Sequence, residues 1–220
     1  MKGIIFDFNG TLFIDGPKHY EAWNKICFQL RGTPLSEYES IHMHGQRNKA
    51  IVEMILNKQI DESENEKISQ QKEAMYRNLC RKDKGFMKLV DGAENLFNEC
   101  KEKHIPISIA TASIKENVDF FIESFHLYKW FNSDNIYYDD GINKDKCDMF
   151  NQCAKAMNLT MLDCLVFEDS ISGIEFATQV GAGGIIALCS NETLIEYKKN
   201  NAIDACIIDF TQFDLTKWIK

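Results

Sequence analysis

Short apolar runs and segments of helical periodicity alternate along most of this 220-residue chain. The apolar runs are four to six residues long, with frequent β-branched residues, and cover residues 2–6, 105–110, 135–138, 164–167, 184–188 and 205–208. Apolar positions recur every three or four residues in the segments between them, at 92–103, 116–125, 147–157 and 173–180. Buried strands that alternate with helices are typical of a parallel sheet covered by helices on both faces. The pattern therefore predicts an α/β fold with a doubly wound parallel sheet.

One long segment departs from this alternation. Residues 16–87 carry helical patterns, at 19–30, 49–56 and 62–81, and no convincing strand. Turn residues and charges flank the segment at 15–17 and 82–85, as expected of connections between domains. We therefore predict an α/β core formed by residues 1–15 and 88–220, and an inserted all-helical cap formed by residues 16–87 that acts as a movable lid.

Charge, hydropathy and cysteine content narrow the functional classes. A net charge of -8 repels a phosphate backbone, so nucleic acid is not a predicted partner. No apolar stretch approaches the length of a membrane span, and no signal-peptide pattern precedes the first strand. The 8 cysteines are widely spaced and form no CxxC pair, which is typical of free thiols in a reducing compartment. We expect a cytoplasmic protein, monomeric and not bound to membranes.

Polar side chains follow four of the predicted strands. They lie in the segments 7–12, 111–113, 139–144 and 168–170. The carboxyl ends of parallel strands meet at one edge of a sheet, so these segments are expected to come together there. Carboxylates, a hydroxyl and an ammonium group at one edge are suited to holding a hard cation and a phosphoryl group.

The same four segments resemble the motifs of the haloacid dehalogenase superfamily of phosphotransferases. The matching residues are Asp7, Gly10 and Thr11 for the pattern D-x-D-G-T, Thr111 for the motif-two hydroxyl, Lys144 for the motif-three lysine, and Glu168 and Asp169 for the motif-four acidic pair. The stretch EDSISGIEFATQVGAG at 168–183 is similar to the branch that contains β-phosphoglucomutases and small sugar-phosphate phosphatases. That branch carries a helical cap after motif one, where residues 16–87 lie here.

The resemblance implies a role for each matching residue. Asp7 would be the nucleophile that becomes an aspartyl phosphate. Mg²⁺ would be the cofactor, held by Asp7, the backbone carbonyl of Asn9 and Asp169, with Glu168 nearby. Thr111 and Lys144 would stabilise the transferring phosphoryl group. Further substrate contacts in this region would come from Thr11, Ala112 and Ser113.

Two lysines compete for the motif-three role. The segment KDKCDMF resembles the family pattern K-P-x-P-D-x-F, with Asp148 and Phe150 in register, and this alignment favours Lys144. Both prolines of the pattern are replaced here. Lys146 is the alternative.

Asn9 departs from the family pattern. Phosphatases and mutases of the family have an aspartate there that serves as general acid and base, and an amide does neither. General acid–base catalysis typically raises a reaction rate by a factor of roughly 10² to 10⁴. Three interpretations are compatible with the sequence: a deliberate replacement of aspartate, an enzyme that uses another group or a good leaving group, and a protein that binds without turnover. Asp15 and His19 are the nearest candidates for a substitute proton carrier.

The predicted cap contains candidate substrate contacts. His19 and Trp23 align with a histidine and a tryptophan of the β-phosphoglucomutases. Arg47 and Lys49, with Lys72 as a further candidate, could hold the distal phosphate or hydroxyls of a substrate. The resemblance thus implies Mg²⁺-dependent hydrolysis of a small phosphorylated metabolite such as a sugar phosphate. The alternatives are a sugar-phosphate mutase and, because of Asn9, a phosphometabolite-binding protein.

Overall fold

The computed structural model describes residues 1–43, 46–142 and 145–219. The strands within those ranges are β1 (Gly3–Phe6), β2 (Ile107–Ile114), β3 (Ile136–Asp139), β4 (Cys164–Glu168), β5 (Gly184–Leu188) and β6 (Ala205–Ile207). The α-helices are α1 (Gly16–Arg31), α2 (Glu37–His42), α3 (Asn48–Leu56), α4 (Glu62–Lys82), α5 (Ala93–Glu102), α6 (Lys115–Ser124), α7 (Lys146–Ala156), α8 (Ile171–Gln179) and α9 (Leu194–Tyr197). No helix in the described ranges is long and apolar enough to cross a bilayer.

The six strands form one parallel sheet in the order β3-β2-β1-β4-β5-β6. The chain therefore winds outwards from β1 to β3 and then returns to the other side of β1 to continue through β4 to β6. This order confirms the predicted doubly wound parallel sheet. The reversal lies between β1 and β4, which is where open α/β sheets bind their ligands. Because Phe6 pairs with Phe167, the residues that follow them, Asp7 and Glu168, are brought side by side.

The core of the sheet is apolar on both faces. All residues of β1, β4 and β5 are buried, as expected for strands that helices cover on both sides. The Phe6 and Phe167 rings stack at 5.2 Å on one face. On the other face Ile5 and Val166 belong to a buried cluster that includes Phe150 of α7 and Ile174 of α8. This packing places the starts of α7 and α8 beside the ends of β1 and β4.

The chain divides into two compact units, Met1–Ile14 with Lys88–Lys220, and Asp15–Met87. The second unit contains α1 to α4 and has its own apolar core, which includes Trp23, Val52 and Ile68. Asp15 belongs to this helical unit, where its carboxylate accepts a hydrogen bond from the Tyr76 hydroxyl at 2.5 Å.

Four local features differ from the predictions, and one of them is the unpredicted four-residue helix α9. Helix α2 was not predicted because its six residues are too few for a periodic pattern, although Ser36 and Glu39 form a capping box at its start. Residues 16 and 17, predicted in a turn, form the first turn of α1, with a proline at its start. Strand β2 extends beyond residue 110 to Ile114, with a shift of register between Ala110 and Ile114, so the predicted strand-end residues 111–113 lie within the strand.

Candidate active site

Asp7 directly follows β1, and the sheet fixes its position. Its backbone N–H donates to the carbonyl of Phe167 in β4 at 2.9 Å, which continues the hydrogen bonding between β1 and β4 by one residue. Asp7 is 4% exposed. Its carboxylate therefore lies in a buried position at the carboxyl edge of the sheet, where the strand order reverses.

Two more carboxylates meet Asp7 at this edge. Asp7, Glu168 and Asp169 each offer an oxygen, and these oxygens lie within 4.8 Å of one another. Glu168 is the last residue of β4 and is 0% exposed. Asp169 begins the two-residue connection from β4 to α8. The structure therefore brings together the three carboxylates that the sequence predicts at or near the metal site.

Two glycines let these carboxylates pack so closely. At Gly10, where φ is +85°, a Cβ would lie 2.0 Å from Oδ2 of Asp169. At Gly173 in α8, a Cβ would lie 1.9 Å from Oε1 of Glu168. Any side chain at either position would collide with a carboxylate of the cluster. The glycines at positions 10 and 173 are therefore part of the site's architecture.

Lys146 supplies the cation of the cluster. Its Nζ donates to Oδ1 of Asp7 at 2.6 Å and also contacts Oε1 of Glu168. Its side chain is 10% exposed and lies at the start of α7. The neighbouring carboxylates of Asp7 and Glu168 raise the pKa of Lys146 against the effect of burial. Lys144, the preferred candidate for the motif-three lysine, lies outside the described residues, and the contact with Asp7 is made by the alternative, Lys146.

The cluster carries more negative than positive charge. Burial raises the pKa of Asp7 to about 7, although Lys146 beside it acts in the opposite direction. Burial and then the charges of Asp7 and Glu168 raise the pKa of Asp169 well above its usual range. When all three carboxylates are ionised, the cluster around one ammonium group carries an excess of two negative charges, and a divalent cation would favour this ionised form.

The donor atoms fit a hard divalent cation. Oδ2 of Asp7 is buried and has no hydrogen-bond partner among the described residues. Buried polar atoms normally have a partner, which can be a hydrogen-bond donor or an ion. Asp169 and Glu168 each offer a further carboxylate oxygen within 4.8 Å of an oxygen of Asp7. Carboxylate oxygens are the ligands that Mg²⁺ and similar ions prefer. Asp7 and Asp169 would hold the cation, and the backbone carbonyl of Asn9 is the further ligand that the family resemblance implies.

Glu168 has a different environment from the other two carboxylates. Its Oε2 accepts hydrogen bonds from the backbone N–H groups of Asp169 and Ser170, at 2.9 and 3.0 Å, and from the Ser170 hydroxyl at 3.0 Å. Its Oε1 contacts Lys146. Both oxygens thus already have protein partners, so Glu168 orients Lys146 and the β4–α8 connection.

The side chain of Asn9 is held by two hydroxyl groups of β2. Its Oδ1 accepts hydrogen bonds from Ser113 Oγ at 2.7 Å and from Thr111 Oγ1 at 3.1 Å. Thr111 Oγ1 in turn accepts from the backbone N–H of Ser113 at 3.2 Å. Three predicted site residues are therefore in direct contact, and the exposed Ala112 lies between the two hydroxyl-bearing residues.

Thr11 connects the first loop to the acidic cluster. It is fully buried, and its hydroxyl donates to Oδ1 of Asp169 at 3.3 Å. The family resemblance predicts Thr11 among the substrate contacts. In the structure its hydroxyl is directed at a carboxylate of the cluster, which orients Asp169.

The remaining predicted contacts belong to the helical unit. His19 Nε2 lies 3.2 Å from Oδ2 of Asp15, and its ring stacks on Tyr76 at 3.9 Å. Lys72 donates to Nδ1 of His19 at 2.8 Å and to Glu73 at 2.8 Å. Because an ammonium group only donates, Nδ1 of His19 is the acceptor in this contact. His19 therefore has a polar partner at each ring nitrogen within the helical unit.

Arg47 and Lys49 lie at the start of α3. Arg47 is the exposed N-cap residue of the helix. Lys49 is half-buried and forms an ion pair with Glu62 at 3.1 Å. Both cations are therefore near the surface of the helical unit, whereas Lys72 is 3% exposed inside it.

Similarity to known proteins extends over nearly the whole chain. A family model described as haloacid dehalogenase-like hydrolase matches residues 1–181. A solved HAD hydrolase of family IA, variant 3, from Entamoeba histolytica is 37% identical, with a TM-score of 0.93 over 100% of this chain and 98% of its own.

Two curated relatives are phosphatases. The chloroplastic 5-amino-6-(5-phospho-D-ribitylamino)uracil phosphatase of Arabidopsis thaliana is 21% identical over 98% of this chain, which spans 57% of that protein's length. The phosphorylated carbohydrates phosphatase of Thermotoga maritima is 22% identical over 89% of this chain and 91% of its own length. The family resemblance read from the four motifs is confirmed, and this protein belongs to the haloacid dehalogenase-like hydrolases.

Proposed function

We propose that this protein is a Mg²⁺-dependent phosphatase that hydrolyses a small phosphorylated metabolite, such as a sugar phosphate, through an aspartyl phosphate on Asp7. The observation that carries the proposal is the buried cluster of Asp7, Glu168 and Asp169 around Lys146, with an unpartnered Oδ2 on Asp7 among the described residues. The name of the Thermotoga maritima relative, a phosphorylated carbohydrates phosphatase, supports the substrate class.

The Asp7 carboxylate would perform the first chemical step. An oxygen of Asp7 attacks phosphorus, the bond from phosphorus to the leaving oxygen breaks, and the phosphoryl group is transferred to Asp7. Water then attacks the aspartyl phosphate and releases inorganic phosphate. A bound divalent cation would neutralise charge on the transferring group. Lys146 holds Oδ1 of Asp7 at 2.6 Å and thereby fixes the direction of the carboxylate.

The leaving oxygen needs a proton if it belongs to an alkyl group. The Asn9 amide cannot supply one. Thr111 and Ser113 hold its Oδ1 at 3.1 and 2.7 Å, so the side chain has a defined position beside the two hydroxyl groups. We therefore expect esters with good leaving groups to react faster than sugar phosphates.

Mg²⁺ is expected to stabilise the folded protein. Buried carboxylates repel one another without a cation between them, and a ligand that binds only the native state raises its stability. Saturation at about 100 times Kd corresponds to roughly 2.7 kcal/mol of stability, or a rise in Tm of about 5 to 10 °C for a chain of this size. Thermal melts with and without Mg²⁺ measure this rise.

Asp169→Asn is the matched variant for that experiment. It removes the half-buried charge of the crowded cluster without changing the side chain's shape, so its melting temperature without Mg²⁺ should equal or exceed that of the wild type. Its response to Mg²⁺ should largely vanish. An undiminished response in this variant would place the bound cation elsewhere, and no response in the wild type would count against the metal site.

The two candidate lysines are compared directly by Lys146→Met and Lys144→Met. Because Lys146 contacts both Asp7 and Glu168, its replacement should lower kcat/KM by about 10², as expected for the loss of one group that stabilises transition-state charge. The Lys144→Met variant should keep most of the activity. Steady-state phosphate release from p-nitrophenyl phosphate measures both, and the opposite ranking would restore Lys144 to the motif-three role.

A further inference from the structure

Tyr197 lies far from the sequence motifs but contacts the acidic cluster. It is the last residue of α9 and is 7% exposed, packed in the apolar cluster on one face of the sheet. Its hydroxyl donates to the backbone carbonyl of Asp169 at 2.6 Å. This hydrogen bond joins residues 28 positions apart in the sequence.

The bond from Tyr197 restrains a very short connection. Only Asp169 and Ser170 lie between β4 and α8. The backbone N–H groups of both residues donate to Glu168, which is the residue directly before them. These bonds are local to the connection. Tyr197 adds a restraint from a different element and acts on the Asp169 carbonyl.

The Asp169 carboxylate requires such a restraint. One of its oxygens lies within 4.8 Å of oxygens of Asp7 and Glu168, which carry like charges in a buried environment. Repulsion favours backbone conformations that move the carboxylate away from the cluster. The phenol bonds to the carbonyl and not to a carboxylate oxygen, so it restrains the backbone while the side-chain oxygens still face the cluster.

We propose that Tyr197 is a positioning residue that holds Asp169 in the geometry needed to bind the divalent cation; this inference rests on the proposed metal-dependent function. Partners that orient metal ligands typically change metal affinity by about 10- to 100-fold when they are removed. Tyr197 acts through the backbone of a ligand rather than through its side chain, so we expect the lower end of that range.

The test is Tyr197→Phe, which keeps the ring in the apolar cluster and removes only the hydroxyl. Mg²⁺ binding is measured by isothermal titration calorimetry, and the fold is checked by circular dichroism. We expect a folded variant whose Kd for Mg²⁺ is raised about tenfold. Its kcat on p-nitrophenyl phosphate should return close to the wild-type value at saturating Mg²⁺. A purely structural role would lower the melting temperature without moving the Kd.

Tyr137→Phe is the matched control. Tyr137 in β3 packs against the same apolar cluster, and loss of its hydroxyl should leave the Kd for Mg²⁺ unchanged. An unchanged Kd in Tyr197→Phe, an equal rise in both variants, or a Tyr197→Phe protein that does not fold would overturn the positioning role while leaving the proposed function standing. Failure of the wild type to bind Mg²⁺ would overturn both.

Discussion

Replacing Asp7 with asparagine is expected to lower kcat by about 10⁴ or more, because loss of a nucleophile removes the covalent route altogether. The amide is nearly isosteric with the carboxylate, so the fold should be retained. Removal of one charge from a crowded, buried acidic cluster should also leave the metal-free protein at least as stable as the wild type. Phosphate release from p-nitrophenyl phosphate and from a panel of sugar phosphates measures the change in rate.

Asp139→Asn is the control for this substitution. Asp139 is an exposed carboxylate at the end of β3, on the same edge of the sheet. Its replacement should leave kcat unchanged. Peptide mapping of the wild type after rapid quenching should locate the phosphoryl group on Asp7. Retention of more than a tenth of the activity in Asp7→Asn, or a phosphoryl group on another residue, would contradict the assignment of the nucleophile.

Replacing Asn9 with aspartate is expected to raise kcat on alkyl phosphates by roughly 10² to 10⁴, the usual contribution of a general acid or base. The hydroxyl groups of Thr111 and Ser113, which bond to Oδ1 of Asn9, can donate to an aspartate in the same way and hold it in the same position. The Kd for substrate should change little, because proton transfer contributes mainly in the transition state. Turnover of p-nitrophenyl phosphate should change far less, since its leaving group departs without a proton.

The sugar-phosphate panel decides among the interpretations of Asn9. Comparable rates for wild type and Asn9→Asp would mean that another group already carries the proton, and His19 would be the next residue to replace. If the sugar phosphate is isomerised and no inorganic phosphate is released, the result would favour the interpretation as a sugar-phosphate mutase. If wild type and Asn9→Asp are both inert while Mg²⁺ and sugar phosphate still bind, the enzymatic proposal fails and a binding protein takes its place.

Local sequence patterns were sufficient to predict the fold class and the edge of the sheet where the acidic cluster lies. Alternation of apolar runs and helical periodicity depends on neighbouring residues only, and it predicts a parallel sheet without knowledge of strand order. Polar segments after strands must then lie at one edge because parallel strands all end there. Asp7, Glu168 and Asp169 could be grouped for this reason.

Tertiary structure decided which of these residues are in contact. Strand order and the pairing of Phe6 with Phe167 place Asp7 beside Glu168, and neither follows from a local pattern. Packing of α7 on the sheet brings Lys146 to within 2.6 Å of Asp7, whereas the sequence pattern favoured Lys144. Helix α2 was too short to produce a periodic signal.

Contacts between residues that are distant in the chain could not be predicted from any sequence pattern. Tyr197 reaches the Asp169 carbonyl from 28 residues away, and Gly173 matters because a Cβ there would lie 1.9 Å from Glu168. The raised pKa values of Asp7 and Asp169 come from burial, which depends on everything packed around them. The sequence by itself determined the chemical groups available and the edge at which they gather. Only the folded structure decided their distances, burial and restraints, because these depend on register and packing between segments that are distant in the chain.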